Sequence, residues 1–221
     1  MTRRVAVLRP EPGNRATVAA LERIGLEAIA LPLFEIVPVD WTPPDPAMHD
    51  GLLLTSANAV RCAGAGLARL TALPVFAVGE QTARAAHEAG LDVAAAGTDG
   101  VAEIAAIAEA RGYHRLLHLA GRDRAPTPPG VTTVLTAYEA REIARAPSEL
   151  RMIEGGVALL HSSRAAQRFA VLAAAIDRGT VRLAALSSAI AEAAGGGWAG
   201  IAVAATRDDA ALVALAHRLA D

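Results

Sequence analysis

Two of the most apolar segments of the sequence run directly into small residues that could hold an anion. The stretch "LLLTSANAVRCAG" (52–64) begins with three leucines, and "ALLHSSRAAQRFA" (158–170) shows the same change of composition. In each case the pattern predicts a buried strand, a turn and then a helix. Such a turn exposes unpaired backbone N–H groups at the positive end of a helix dipole, where an anion is favoured. The turn residues are Thr55, Ser56, Ala57 and Asn58 in the first segment and Ser162 and Ser163 in the second.

Similar turns follow four other apolar segments of the chain. In an open α/β sheet, ligands bind outside the carboxyl ends of the strands, so all these turns belong to the predicted ligand-binding edges. The additional candidates are Arg9, Gly79, Thr82, Gly121, Arg122 and, more weakly, Ser188. The alternative is that Ser56, Thr82 and Ser162 only cap helices, which Ser and Thr commonly do. Their recurrence at matched positions in both halves favours a ligand cleft.

Tyr138 is the candidate for proton transfer. It is one of two tyrosines and lies in "VLTAYEAREI" (134–143), which reads as an extended segment near the join between the halves. A phenol there could donate or orient a proton for a ligand held between two domains. The alternative is a half-buried aromatic residue on a strand.

Composition excludes several classes of function. Of the 221 residues, 3% are aromatic, and the net charge is −2 with no long basic run, which argues against nucleic-acid binding. No apolar stretch reaches the roughly 18 residues of a membrane span, and the apolar run near the N-terminus is too short for a signal peptide, so we expect a cytoplasmic protein. All 21 basic residues are Arg, which excludes lysine-dependent chemistry.

Metal and hydrolase chemistry also find little support. Cys62 is the single cysteine, and the GxSxG and HExxH motifs are absent. His114 and His118, at the edges of one predicted strand, are more typical of structural residues than of metal ligands. Asp208 and Asp209 lie where a helix is predicted to begin, and acidic residues are favoured there.

The elements that must position these residues alternate between strand and helix. The predicted strands are 4–10, an extended stretch 26–39, 52–54, 74–79, 91–97 and 114–121. A turn and a helix are predicted within 11–25, and further helices over 57–70, 80–90 and 99–112. In the first helix Val18, Leu21 and Ile24 share one face, and Gly25 is placed for a left-handed C-cap. This alternation predicts α/β units around parallel sheets.

The second half of the sequence repeats the first. At an offset of 106 residues, "LLLTSANAV" (52–60) aligns with "ALLHSSRAA" (158–166), and 77–90 aligns with 183–196, which pairs Thr82 with Ser188. At an offset of 108, 97–108 aligns with 205–216, and the openers "VAVLRP" and "LLHLAG" correspond loosely. We therefore expect two similar domains.

Seven short segments along the chain form an ordered set of motifs. In order, they are "LRPEPG" (8–13), "PLFEIVP" (32–38), "LLLTSANAV" (52–60), "AVGEQTA" (77–83), "LLHLAGR" (116–122), "AYEA" (137–140) and "LLHSSRAAQRF" (159–169). In content and order, this set resembles the uroporphyrinogen-III synthase family over nearly the whole chain. Three features depart from the family pattern: Leu8 replaces a usual Thr, "LSSAIA" (186–191) lacks a glycine, and the segment 122–131 is shortened.

The resemblance implies an architecture of two α/β domains with parallel sheets. The first domain would be discontinuous, formed by 1–36 with 145–221, and the second would be formed by 37–140. Two linker strands, near 31–39 and 133–142, would join them.

The resemblance also implies a reaction. Hydroxymethylbilane, a linear tetrapyrrole with eight carboxylates, would lose its hydroxyl, invert ring D through a spiro intermediate and close to uroporphyrinogen III. No metal or organic cofactor would be needed, Tyr138 would help the hydroxyl to leave, and Ser56, Thr82 and Ser162 would face the substrate. The protein would act as a monomer, with a transient contact to the preceding enzyme of the pathway. The rival hypotheses are a two-lobed protein that binds a small anion without catalysis and a sugar-nucleotide transferase.

Overall fold

Residues 3–98 and 100–221 are described by the computed structural model of the protein, and over this range the backbone forms eleven strands and eight α-helices. The strands are β1 (Val5–Val7), β2 (Ala28–Ala30), β3 (Phe34–Pro38), β4 (Gly51–Leu54), β5 (Val75–Val78), β6 (Val93–Gly97), β7 (Leu116–Gly121), β8 (Val131–Glu142), β9 (Val157–Leu160), β10 (Arg182–Ala185) and β11 (Gly200–Val203). The helices are α1 (Gly13–Arg23), α2 (Ala57–Cys62), α3 (Glu80–Glu88), α4 (Val101–Ala110), α5 (Pro147–Arg151), α6 (Ser163–Leu172), α7 (Ser188–Ala193) and α8 (Asp209–Ala220). Short 3₁₀ helices lie at Pro46–Met48, Gly64–Leu70, Ala173–Ala175 and Arg178–Thr180.

The chain divides into two compact units. Unit 1 consists of Met1–Glu35 and Glu142–Asp221, and unit 2 consists of Ile36–Arg141. The chain passes from one unit to the other within β3 and again at the end of β8, and these two strands are neighbours in one sheet.

Unit 1 is built on a five-stranded sheet with the strand order β11-β10-β9-β1-β2, and all neighbours in it are parallel. Alternate side chains of β1 and β9, such as Val5 and Val157, share one core with Leu21 of α1 and Leu212 of α8. Because strand side chains alternate between the two faces, α1 and α8 cover one face of this sheet.

Unit 2 is built on a six-stranded sheet with the order β3-β8-β7-β4-β5-β6, in which β8-β7-β4-β5-β6 are parallel neighbours. Leu52 and Leu54 of β4 pack with α2 and α3 residues such as Val60 and Ala86, whereas Leu53 packs with Ile104 of α4. Helices therefore cover both faces, which explains why β4 is a continuous run of leucines.

The two sheets share one strand order. The series β11-β10-β9-β1-β2 of unit 1 corresponds to β6-β5-β4-β7-β8 of unit 2, so the predicted internal repeat is present, and the loosely matched openers are equivalent strands. One part of the alignment is wrong: Thr82 is the third residue of α3, whereas Ser188 is the first residue of α7, so these residues are not equivalent.

Several predicted boundaries are corrected by the structure. The helix expected over 57–70 ends at Cys62, and a separate 3₁₀ helix begins at Gly64, whose φ of 60° is left-handed. The extended stretch 26–39 is two strands, because β2 pairs with β1 and β3 lies beside β8.

Two predicted side-chain positions also differ. Ile24 is the C-cap of α1 and is 44% exposed, so it does not share the buried face with Leu21. His118 is the third residue of β7 and is 2% exposed, so it does not lie at the edge of the strand, whereas His114 precedes the strand, which begins at Leu116.

Candidate functional site

The carboxyl edge of the unit 2 sheet contains a hollow of about 240 Å³. Its walls come from the turns after β4 and β7, from β5, β7 and β8 and from the start of α4, as expected for the ligand edge of a parallel sheet. The lining residues are Thr55, Ser56, Val78, Val101, His118, Gly121, Asp123, Arg124, Ala125 and Tyr138. Three of the predicted site residues, Ser56, Gly121 and Tyr138, therefore meet here.

Tyr138 enters the hollow because the facing residue has no side chain. Gly121 is the register partner of Tyr138 where β7 and β8 pair. A Cβ atom added at Gly121 would lie 2.6 Å from Cζ and 2.9 Å from the hydroxyl oxygen of Tyr138. The glycine predicted as a substrate contact thus makes room for the phenol.

The Tyr138 phenol stays protonated at neutral pH. Burial raises its pKa above the ordinary value of 10.0, and the hydrogen bond with the Ser56 side chain offsets only part of that rise. The charge of Asp123 raises the pKa further. At this position the side chain can donate a hydrogen bond or a proton.

Ser56 has two roles at the start of α2. Its hydroxyl oxygen accepts a hydrogen bond from the backbone N–H of Asn58 at 3.2 Å, so the residue is an N-cap, and its side chain is also hydrogen-bonded to Tyr138. Capping and site geometry are therefore combined in one side chain. The following residue, Ala57, is buried, and the Asn58 side chain accepts from Arg61 at 3.3 Å.

His118 and Thr55 also line the hollow. Thr55 belongs to the turn that the sequence predicts as an anion site, whereas His118 is predicted from the sequence only as a structural residue. Nε2 of His118 lies 3.2 Å from Oγ1 of Thr55. Burial lowers the pKa of His118 to about 4, with a further contribution from the charge of Arg124, so the imidazole is neutral at pH 7. The signal in the sequence was a titratable residue inside the apolar run "LLHLAG".

The two arginines after β7 have different surroundings. Arg124 lines the hollow, and its Nη1 donates to the carbonyl of Gly121 at 2.9 Å and to Oγ1 of Thr136 at 3.2 Å. Arg122, the predicted ligand contact, donates instead to Glu139 at 2.8 Å, and hydrogen bonds from Arg122 and Arg141 hold the pKa of Glu139 below its usual value. Arg122 is not among the lining residues of the hollow.

The predicted residues on α3 do not line the hollow either. Gly79 is the N-cap of α3 with a φ of 79°, and its N–H donates to the carbonyl of Gly97 at 2.7 Å. Thr82 is 4% exposed, so its hydroxyl is withdrawn from solvent and does not cap the helix.

Unit 1 has its own polar cluster at the carboxyl edge of its sheet. The carboxylate of Asp209 lies 3.1 Å from Nη1 of Arg9, 3.0 Å from Oγ1 of Thr17 and 2.9 Å from Nε2 of His161. Burial would raise the pKa of Asp209, but hydrogen bonds from His161 and Thr17 and the charge of Arg9 lower it overall. Arg9, predicted to bind substrate, is thus paired with a carboxylate of its own chain, which no local sequence pattern could indicate.

The predicted serines of unit 1 lie at the starts of two helices. Ser162 caps α6 by accepting from the N–H of Ala165 at 3.2 Å, and Ser163 is the first residue of that helix. Ser188 is exposed at the first position of α7. Among residues 3–98 and 100–221, no group of three or more His, Cys, Asp or Glu residues is arranged to hold a metal ion.

The hollow of unit 2 therefore combines a neutral phenol, a neutral imidazole and small hydroxyls with one arginine and the carboxyl group of Asp123. This set favours hydrogen bonding and proton donation to a leaving group over nucleophilic attack. A family model described as uroporphyrinogen-III synthase HemD matches residues 15–214. The chain belongs to the uroporphyrinogen-III synthase family.

Solved structures agree with the family at the level of the fold. A uroporphyrinogen-III synthetase from Helicobacter pylori is 17% identical, with a TM-score of 0.68 over 98% of this chain and 99% of that one. A mutant uroporphyrinogen III synthase from the extremely thermophilic bacterium Thermus thermophilus is 18% identical, with a TM-score of 0.56 over 98% of both chains. No match was found among curated protein sequences.

Membership in the uroporphyrinogen-III synthase family makes this protein an enzyme, a cyclising lyase of tetrapyrrole biosynthesis. The predictions of family, fold class and activity are confirmed, and the rival hypotheses of a non-catalytic binding protein and a sugar-nucleotide transferase are not supported. In the described part of the chain, no helix has the length and apolar character needed to cross a membrane.

Proposed function

We propose that the protein cyclises hydroxymethylbilane to uroporphyrinogen III and that the hollow of unit 2 holds the part of the substrate that loses its hydroxyl. The observation that carries this proposal is the protonated phenol of Tyr138, which lines the hollow beside Gly121 and is hydrogen-bonded to Ser56. A partly buried donor beside the carboxyl end of β7 suits the departure of this group, because a hydroxyl leaves readily only after it has been protonated to water.

In the proposed first step, the C–O bond of the hydroxymethyl group breaks and the oxygen leaves as water. Tyr138 donates a proton to that oxygen, while electrons from the pyrrole nitrogen form the azafulvene as its N-protonated cation, and the resulting phenolate takes back the proton that is lost at ring closure. Its raised pKa keeps the phenol protonated before this step. Because the partly buried side chain lies beside Ser56 and faces Gly121, we propose that little reorganisation of the phenol is required during the reaction.

Ring D then attacks the azafulvene carbon, which gives the spiro intermediate. Rearrangement and ring closure follow with loss of a proton. We propose that the protein contributes to these steps mainly by holding a flexible chain in a reactive geometry, an effect worth up to about 7–11 kcal/mol in well-oriented systems. The arginine and backbone donors at the strand ends would hold substrate carboxylates.

The proposed binding residues differ in whether their side chain or their backbone can contact the substrate. In unit 2, Ser56 and Gly121 line the hollow, Arg122 lies outside it, and Ala57 would contribute its backbone N–H. The N–H groups of Asn58, Gly79 and Thr82 already donate to Ser56, Gly97 and Gly79, so these three residues would shape the turns rather than bind the substrate directly. In unit 1, Ser162, Ser163 and Ser188 would contribute backbone N–H groups at the starts of α6 and α7, and Arg9 would act while paired with Asp209.

We also propose that the enzyme works as a cytoplasmic monomer that receives its unstable substrate by a transient contact with the preceding enzyme. The single cysteine, which allows no disulfide within the chain, supports the cytoplasmic part of this proposal.

The test is an isomer analysis. The protein is incubated with freshly prepared hydroxymethylbilane, the products are oxidised, and the porphyrin isomers are separated. We expect the type III isomer to exceed the type I isomer that forms spontaneously in a matched sample without protein. Type I alone at high protein concentration would contradict the proposed function.

A further inference from the structure

His118 and Thr55 form a hydrogen-bonded pair in the wall of the hollow that the proposed reaction does not yet use. They lie on adjacent strands: His118 is the register partner of Leu53 in the pairing of β7 with β4, and Thr55 follows the end of β4. The distance between His118 Nε2 and Thr55 Oγ1 is 3.2 Å. Because His118 is 2% exposed and Thr55 is partly exposed, the threonine hydroxyl is the member of the pair that can contact a ligand.

We infer that His118 is a positioning residue, which donates a hydrogen bond to Thr55 and thereby directs the threonine O–H towards the ligand in the hollow. The inference rests on the proposed function for the identity of that ligand, a carboxylate or the departing hydroxyl of the bilane. The orientation of the pair itself rests on the geometry of β4 and β7.

The buried environment of the imidazole selects one tautomer. A neutral imidazole carries one N–H donor and one acceptor nitrogen. Nδ1 of His118 is buried and has no hydrogen-bond partner within residues 3–98 and 100–221. A buried N–H without an acceptor is rarer in proteins than an unused acceptor, so the proton belongs on Nε2, where the Thr55 oxygen can accept it.

The charges around the pair favour the same state. Burial and the nearby Arg124 guanidinium oppose protonation of the imidazole. The other titratable groups that line the hollow are Tyr138, which is protonated, and Asp123, which stands with Arg124 in the turn after β7. His118 is therefore neutral at pH 7, the state in which Nε2 can carry the single ring proton.

The tautomer determines what Thr55 can do. A hydroxyl that accepts from Nε2–H keeps its own hydrogen for another acceptor. Thr55 would then be a second O–H donor in the hollow that contains Tyr138, suited to bind a substrate oxygen. With the opposite tautomer Thr55 would donate to the imidazole, and this donor would be lost.

Nitrogen NMR tests the orientation without substrate. Protein labelled with ¹⁵N-histidine is examined by two-bond ¹H–¹⁵N correlation, and the His118 signals are assigned as those missing from His118→Leu. We expect the pattern of an Nε2–H tautomer that does not titrate between pH 5 and 8. An Nδ1–H pattern, or titration near the ordinary histidine pKa, would overturn the inference, whatever reaction the protein catalyses.

Kinetics test the consequence for the substrate. We expect His118→Leu and Thr55→Val each to lower kcat/KM roughly tenfold, and the double variant to lose little more, because both changes remove the same donor. His118→Gln, whose side-chain amide can donate near the Nε2 position, should retain activity within about threefold of the wild type. His87→Gln, on the exposed end of α3, is the matched control. Circular dichroism verifies that each variant is folded.

The two arms separate the hypotheses. If the wild type forms only the type I isomer, the proposed function fails, while the NMR arm still decides the orientation of the pair. If the wild type forms type III and folded His118→Leu is as active as the wild type, or His118→Gln is as impaired as His118→Leu, the positioning role is wrong.

Discussion

Tyr138 can occupy the hollow because its register partner, Gly121, has no side chain. The hydroxyl is then held by Ser56, a residue that also caps a helix. At the scale of single residues, the site therefore depends on one missing side chain and one shared hydroxyl. Both features can be tested by substitutions that remove or add a single heavy atom.

Replacing Tyr138 with Phe removes the donor and keeps the ring. We expect kcat to fall more than tenfold, since general acid catalysis typically contributes about 10²–10⁴-fold, while the melting temperature changes little. Type III formation and thermal unfolding are the measurements. Tyr113→Phe is the control, because that tyrosine packs edge-on against Phe76 outside the lining of the hollow. Wild-type turnover in Tyr138→Phe would mean that the phenol has only a packing role.

Replacing Gly121 with Ala adds a methyl group 2.6 Å from Cζ of Tyr138, closer than real contacts allow. The phenol must move, so we expect a loss of kcat comparable to that of Tyr138→Phe. Gly200→Ala is the control, because a Cβ atom there meets nothing within 4 Å. Unchanged kinetics in Gly121→Ala would show that the position of the phenol does not limit the reaction.

His118 should make the stability of the protein sensitive to acid. Its pKa is lowered from 6.5 to about 4 by burial and by the charge of Arg124, so unfolding is accompanied by proton uptake below pH 6.5. The contribution of this histidine to stability is complete at a pH above its pKa in the unfolded protein. It is lost as the pH falls towards its lower pKa in the folded protein. When the pH is lowered from 7 to 4, protonation of this histidine should reduce the free energy of unfolding by about 3 kcal/mol.

The measurement is urea unfolding at both pH values for the wild type and His118→Leu. The loss between pH 7 and pH 4 should be smaller in the variant by that amount, because the other titrating groups are common to both proteins. Equal losses in the two proteins would contradict the assigned state of His118.

At the scale of elements, the turns after β4 and β9 are alike in form and different in surroundings. Ser56 and Ser162 each cap the following helix, as helix-start residues commonly do. Ser56 is also hydrogen-bonded to Tyr138, whereas the turn after β9 begins with His161, which contacts Asp209 of α8. At the carboxyl edge of the unit 1 sheet, side chains of α1, α8 and the residues after β1 and β9 therefore contact one another.

We expect Ser56→Ala and Ser162→Ala each to lower the free energy of unfolding by about 1 kcal/mol, because each removes an N-cap acceptor. Ser56→Ala should also lower kcat, since Tyr138 loses its partner, while Ser162→Ala keeps the backbone donors of α6. Urea titration and steady-state kinetics measure the two effects. Ser188→Ala, exposed on α7, should be neutral in stability. Equal kinetic effects in the two cap variants would argue against a special role of Ser56.

At the scale of the whole molecule, each unit has its own sheet and its own apolar core. The predicted domain boundaries, 1–36 with 145–221 and 37–140, stay a proposal about parts that fold separately. The two tryptophans provide a test, because Trp41 packs on the unit 2 core and Trp198 stacks on Phe169 in unit 1.

We expect Trp41→Phe and Trp198→Phe, each with one remaining tryptophan, to report different urea midpoints by fluorescence. Two separate cores of different composition have no reason to unfold at one denaturant concentration. Circular dichroism of the wild type should then span both transitions. A single shared midpoint by all three probes would contradict separate folding of the units.

The sequence by itself determined the α/β class, the repeat, the family and the turns at the strand ends. These are local or periodic properties: the apolar run of β4, the N-cap at Ser56 and the left-handed Gly25 depend on neighbouring residues. The tertiary structure decided which turn residues meet and what they contact. Gly121 lies against Tyr138, and Arg9 pairs with Asp209 at the far end of the chain, because strand pairing joins residues that no local pattern connects. The burial that neutralises His118 has the same origin, since it depends on the strands and helices packed around β7.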